Sequence, residues 1–126
     1  MDKELTHVLI IDDNEDILIM LKAMLQFKDY KVTIKDNAYN IENFIQQVDP
    51  DVILMDMLLS GANGTEICKQ IKENPAIASI PIVMISAMPQ AEKKCLDAGA
   101  DYFVGKPFEM DNMLDTVEMA VNGITE

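Results

Sequence analysis

Three stretches of this chain are apolar without a break, and each ends on a polar residue. Val8-Leu9-Ile10-Ile11 runs into Asp12-Asp13, Val52-Ile53-Leu54-Met55 into Asp56, and Ile82-Val83-Met84-Ile85 into Ser86. A strand with one face in water alternates polar and apolar, so an unbroken run is expected only where both faces are covered. That is the condition of a parallel sheet sandwiched between two layers of helices. The full strand set read from the sequence is His7–Ile11, Lys31–Ile34, Val52–Met55, Ile80–Ile85 and Tyr102–Val104. Lys31-Val32-Thr33-Ile34-Lys35 alternates, which predicts an edge strand whose lysines discourage further pairing.

Helical periodicity fills the intervals. Ile17, Leu21 and Leu25 recur every four residues behind Asp13-Asn14-Glu15, where Asp13 or Asn14 can cap the first turn. Ile41, Ile45 and Val48 mark a second helix closed by Pro50, and Ile67 and Ile71 a third ended by Asn74-Pro75. Ala91, Cys95 and Ala98 mark a short fourth stopping at Gly99, and Met110, Met113, Val117, Ala120 and Ile124 the last. The alternation is (βα)5, an α/β fold, and right-handed crossovers place helices on both faces of one doubly wound, five-stranded parallel sheet.

Composition agrees and removes several function classes. At 126 residues with 49% apolar and 25% charged residues, one domain over 1–126 is expected, with no output domain in the chain. Such a domain buries roughly 68% of its unfolded surface. The charge is 10 − 22 = −12, the wrong sign for direct nucleic-acid binding. No apolar run is long enough to span a membrane, and Met1–Lys3 opens no signal peptide, so a cytoplasmic protein is expected. Cys68 and Cys95 read as reduced, buried small hydrophobes, the ten methionines as core filler, and His7 as structural.

In an open parallel sheet, ligands bind at the carboxyl ends of the strands. There this sequence places Asp12-Asp13, Asp56, Ser86-Ala87 and Lys106-Pro107, bringing three carboxylates, a hydroxyl and an ammonium to one edge. Crowded carboxylates raise one another's pKa unless a cation compensates, and a hard divalent ion such as Mg²⁺ suits oxygen ligands. A carboxylate can also act as a nucleophile and form an aspartyl phosphate. Mg²⁺, Lys106 and the Ser86 hydroxyl could then share the charge of a transferring phosphoryl group. Each residue has a plainer reading too. Asp12-Asp13 could simply cap a helix, Ser86 could be a turn residue, Lys106 a solvated lysine and Phe103 a core ring.

Over its whole length the chain resembles the receiver domain of two-component response regulators. The matching pieces are Ile11-Asp12-Asp13, Leu54-Met55-Asp56, Gly64, Ser86-Ala87, and Ala98-Gly99-Ala100-Asp101 leading into Lys106-Pro107-Phe108. The resemblance implies a flavodoxin-like three-layer sandwich with strand order 2-1-3-4-5. It implies that Asp56 takes phosphoryl from a phosphohistidine on a sensor histidine kinase or histidine phosphotransfer protein. Mg²⁺ would be held by Asp13, Asp56 and the Leu58 backbone carbonyl, with Asp12 acting mainly through water. Ser86 and Phe103 would be the switch pair presenting a surface to a downstream protein. Lys106 would hold a phosphoryl oxygen, and its bond to Pro107 would be cis.

Departures from the family pattern bear on regulation. Leu59-Ser60 replaces a hydrophobic-Pro pair, Phe103 replaces a tyrosine, and the interval from Ser86 to Lys106 is 20, about two short. The shortfall falls in the fourth helix or its loops, which argues against dimerisation through the fourth helix, fifth strand and fifth helix. Leu58 and Met88, two residues beyond Asp56 and Ser86, are apolar and cannot orient a hydrolytic water, so a long-lived phosphoryl group is expected. Two other functions fit the fold less well. A haloacid-dehalogenase-type phosphatase needs an Asp-x-Asp on its first strand, and a flavodoxin-type carrier needs a phosphate cradle where Asp13-Asn14-Glu15-Asp16 would repel one.

Overall fold

A computed structural model describes residues 5–59 and 61–123, which excludes Ile124, Ser60 and the first four residues. Within it the elements are β1 (His7–Ile11), α1 (Glu15–Phe27), β2 (Lys31–Lys35), α2 (Ile41–Val48) and β3 (Val52–Asp56). They continue with β4 (Leu58–Leu59), β5 (Ala62–Asn63), α3 (Gly64–Glu73), β6 (Ile82–Ser86), α4 (Ala91–Asp97), β7 (Tyr102–Gly105) and α5 (Met110–Asn122). The main sheet is parallel with order β2-β1-β3-β6-β7, which is the expected 2-1-3-4-5 once the short β4-β5 hairpin is set aside.

Continuous apolar runs produce this architecture because successive side chains point to opposite faces. Leu9, Ile11, Ile53, Met55, Ile82 and Met84 face one layer of core, with α2, α3 and α4 packed over it. Val8, Ile10, Val52, Leu54, Val83 and Ile85 face the other, under α1 and α5. Every residue of β3 and β6 is buried, and each large aliphatic so placed contributes roughly 1.5–3 kcal/mol. β2 lies at the sheet edge as expected, but its burial does not follow the alternation: Val32 and Thr33 are both half-buried and Ile34 is exposed.

Several details differ from the sequence reading. Ile80 precedes the strand, while β6 extends to Ser86 and β3 to Asp56, so both site residues are held by ladder geometry rather than by loops. In α1 the buried face runs through Leu18, Leu21, Met24 and Leu25, and Ile17 is only half-buried. Met110 is 56% exposed, and Met20 and Met88 are also open to solvent, so the methionines are only partly core filler. The β4-β5 hairpin had no legible signal, being two short pairs in one turn.

The Ala98-Gly99-Ala100-Asp101 segment belongs to a clip at the opposite edge from the acidic residues. Lys72 Nζ donates to Ile80 O at 2.8 Å, Ala78 O at 3.2 Å and Asp101 Oδ2 at 2.8 Å. The same Asp101 oxygen accepts from Ile82 N at 2.9 Å. Gly99, at φ +108°, passes so close that a Cβ would meet Lys72 Cγ at 2.9 Å. The clip fixes the starts of β6 and β7, and so the depth at which Ser86 and Lys106 emerge at the far end.

Candidate functional site

Asp12 leaves β1 with its backbone still in the sheet, its N–H donating to Lys35 O at 3.1 Å. Its Oδ1 accepts the Asn14 N–H at 2.8 Å. The neighbouring cap is Asn14, whose Oδ1 accepts the Ile17 N–H at 3.1 Å, so Asp13 is not the residue used to start α1. Asp13 is exposed, and its carboxylate lies with those of Asp12 and Asp56 such that one oxygen from each falls within 4.8 Å of the others. The three predicted carboxylates therefore do converge.

Lys106 joins them. Its backbone N–H donates to Ser86 O at 2.8 Å, which ties it to the end of β6, and its peptide bond to Pro107 is cis. Its Nζ stands 3.3 Å from Asp56 Oδ1 and 3.6 Å from Asp12 Oδ2. One ammonium thus stands against two of the three carboxylates. Burial pushes the Asp56 carboxyl above the ordinary carboxylate range, the Asp12 charge adds to the rise, and Lys106 opposes it. Asp12 Oδ2 is fully buried yet accepts no hydrogen bond. A buried acceptor left in that state is costly, and a hard cation among oxygen donors would satisfy it. The donor set fits Mg²⁺.

The remaining expected residues surround this group. Ser86 is buried, and its Oγ accepts the Met88 N–H at 3.0 Å. Phe103 is half-buried against the core beneath α2, α3 and α4, with its Cε2 3.8 Å from where a Gly105 Cβ would lie. Leu58 and Met88 are 57% and 41% exposed. Gly64 turned out to matter sterically: a Cβ there would sit 2.7 Å from the Asp56 and Met57 carbonyl oxygens. The sequence offered Gly64 only as a motif position, since a contact between backbones eight residues apart leaves no side-chain pattern. Lys72 was missed for a similar reason, because a lysine on an amphipathic helix ordinarily reads as solvated.

The response regulator receiver domain family matches residues 8–118, nearly the whole of the described structure. The chain belongs to that family. Receiver domains are signalling switches that accept phosphoryl groups and interact with histidine kinases. Among curated relatives, response regulator ArlR of Staphylococcus saprophyticus is 33% identical over 113 residues, covering 87% of this chain and 50% of that protein. The DNA-binding dual master transcriptional regulator RpaA of Synechocystis is 30% identical over 113 residues, covering 88% and 47% respectively. The chain spans about half the length of these relatives.

Solved receiver structures share the backbone. The signal receiver domain of a DNA binding response regulator from Colwellia psychrerythraea superposes with TM-score 0.84 at 28% identity, covering 93% of this chain and 98% of that one. The receiver domain of a sensor histidine kinase from Pseudomonas aeruginosa gives TM-score 0.85 at 22% identity, covering 94% and 99%. At that identity the likeness establishes the fold alone; that structure has a magnesium ion coordinated in its active-site cleft. No helix among the described residues of this receiver is long and apolar enough to cross a membrane.

Proposed function

We propose that Asp56 is the phosphoacceptor of this receiver, taking its phosphoryl group from a phosphohistidine on a sensor kinase or phosphotransfer protein. The phosphorus–nitrogen bond of the donor breaks as a bond to an Asp56 carboxylate oxygen forms, and the imidazole leaves with the electron pair. The observation that carries this reading is the trio of carboxylates within 4.8 Å, together with a buried Asp12 oxygen that accepts no hydrogen bond. Asp13, Asp56 and the Leu58 carbonyl would hold Mg²⁺, with Asp12 behind them. When bound, that ion would neutralise the carboxylates and the incoming phosphoryl oxygens.

The other residues then have defined tasks. Lys106 Nζ, 3.3 Å from Asp56, would bind a phosphoryl oxygen as charge builds there. The Ser86 hydroxyl would exchange its Met88 partner for a phosphoryl oxygen, and the Phe103 ring would follow inward, altering the surface that a downstream protein reads. The receiver would in this way assist its own phosphorylation and dephosphorylation, without turning over an outside substrate. Incubation with Mg²⁺ and acetyl phosphate, followed by intact mass measurement, tests the reading. The native chain should gain one phosphate and Asp56→Ala none; equal uptake by both would end the proposal.

A further inference from the structure

β7, the strand that carries Lys106 to the site, is the shortest of the main sheet. It is four residues long, lies at an edge, and pairs with β6 alone. Its sequence, Tyr102-Phe103-Val104-Gly105, has no polar–apolar alternation. Tyr102 and Val104 pack against one core layer and Phe103 against the other. Hydrophobic patterning therefore distinguishes the two faces poorly, which is the condition under which register slips. A slip of one residue would carry Lys106 about 3.3 Å along the ladder. That equals the whole 3.3 Å separation between its Nζ and Asp56 Oδ1.

The register is set instead at the start of the strand. Asp101 grips Ile82 at two points: its N–H donates to Ile82 O at 2.9 Å, and its Oδ2 accepts the Ile82 N–H at 2.9 Å. A one-residue shift would break both bonds. From α3, Lys72 Nζ donates to the same carboxylate oxygen at 2.8 Å and to the Ile80 and Ala78 carbonyls, which occupies all three ammonium hydrogens. The Lys72 stem is held in turn against Gly99. An ion pair whose partners are 19% and 41% exposed adds little stability of its own. What it supplies is direction, because it aims the Asp101 carboxylate at Ile82. The far end of the same pairing closes on the Lys106 N–H and Ser86 O, five residues or about 16 Å from Asp101.

We propose that Asp101, aimed by Lys72, is a positioning residue for phosphoryl capture: it pins β7 to β6 in the register that brings Lys106 Nζ to Asp56. The inference rests on the reading of Lys106 as the ammonium that binds a phosphoryl oxygen. Asp12, Asp13 and Asp56 stand at the ends of β1 and β3, which pair with each other without passing through the clip. Loss of the clip therefore leaves the carboxylates in place and displaces only the ammonium. Capture of phosphoryl should slow while Mg²⁺ affinity does not fall.

The test places Asp101→Ala and Lys72→Met in the intact chain, each alone and combined with Lys106→Met. Uptake from acetyl phosphate at saturating Mg²⁺ should slow roughly tenfold in either single variant. In the Lys106→Met background the same substitutions should change uptake by less than about twofold, because there is no ammonium left to misplace. Amide exchange read by NMR, without Mg²⁺ or phosphodonor, supplies the second arm. The Lys106 N–H should exchange roughly tenfold faster in Asp101→Ala, while the Met57 N–H bonded to Ile85 O and the Asp12 N–H bonded to Lys35 O keep their native rates. Equal slowing of uptake with and without Lys106 would overturn the proposal, as would uniform acceleration of exchange or an unchanged Lys106 amide. Unfolding of both variants would also overturn it, by making the clip an element of stability alone. If the native chain takes up no phosphate, the reading of Asp56 falls, and the exchange pattern still decides whether Asp101 positions Lys106.

Discussion

Replacing Gly64 with alanine should damage stability and phosphoryl uptake together, and the geometry sets the scale. The new Cβ would lie 2.7 Å from Asp56 O, 2.7 Å from Met57 O and 2.8 Å from Met57 Cα, all backbone atoms. Restoring even a tight 3.4 Å contact requires 3.4 − 2.7 = 0.7 Å of main-chain movement. The Gly64 N–H to Met57 O bond of 2.8 Å, which closes the loop after Asp56, would be stretched by the same motion. Overpacking of this kind costs about 1–3 kcal/mol, and the weakened bond adds about 1 kcal/mol. A total of roughly 2–4 kcal/mol, at a urea m-value of about 2 kcal/mol/M, lowers the unfolding midpoint by about 1–2 M. Because the displaced carbonyl belongs to Asp56, uptake from acetyl phosphate should also slow by roughly tenfold to a hundredfold. Gly61→Ala is the control. It sits at φ +74° with nothing within 4 Å of a Cβ, so it should cost about 1–2 kcal/mol and leave uptake unchanged. A Gly64→Ala protein within about 0.5 kcal/mol of the native midpoint, with normal uptake, would refute the steric argument.

Three further outcomes follow from the same structure. Once Asp56 is phosphorylated, Leu58→Asn and Met88→Glu should each speed loss of the group by roughly tenfold by orienting water, and unchanged decay would show that these positions do not govern lifetime. The single histidine, His7, is held below its ordinary value of 6.5 by burial and by Lys31, with its Nε2 2.6 Å from Thr33 Oγ1. The unfolded chain therefore takes up this proton first, so His7 lowers stability as pH falls below 6.5. Urea midpoints should accordingly drop further between pH 7 and pH 5.5 for the native chain than for His7→Gln, and parallel profiles would contradict the assignment. Burial pushes the Cys68 thiol up to about 11, so it should ignore a disulfide reagent at pH 8 until urea unfolds the chain; prompt reaction in the folded protein would contradict this.

Where the sequence was informative, a physical periodicity made it so. The apolar runs of β1, β3 and β6 announced strands covered on both faces, and the alternation of Lys31–Lys35 announced the edge. Because the site lies at the strand ends, reading the strands correctly also located Asp12, Asp56, Ser86 and Lys106. What stayed hidden depends on contacts between distant backbones or on polar clips. Gly64 against Asp56 and Met57, Lys72 bridging to Ile80 and Asp101, and the choice of Asn14 over Asp13 as cap all belong to that class. Met20 was counted as core because its residue type is apolar, whereas helical phase puts it in solvent; Met110 shares the phase of Met113 and Val117 but is exposed as the first residue of α5.

The account depends on one electrostatic arrangement, in which Asp12, Asp13 and Asp56 are crowded around a space that a divalent cation would fill. Calorimetric titration of the chain with Mg²⁺ addresses it most directly, alongside Asp12→Asn and Asp13→Asn. Saturable one-to-one binding in the native chain, weakened at least tenfold in each variant, is the predicted result. Absent binding, or binding that survives both substitutions undiminished, would contradict the account.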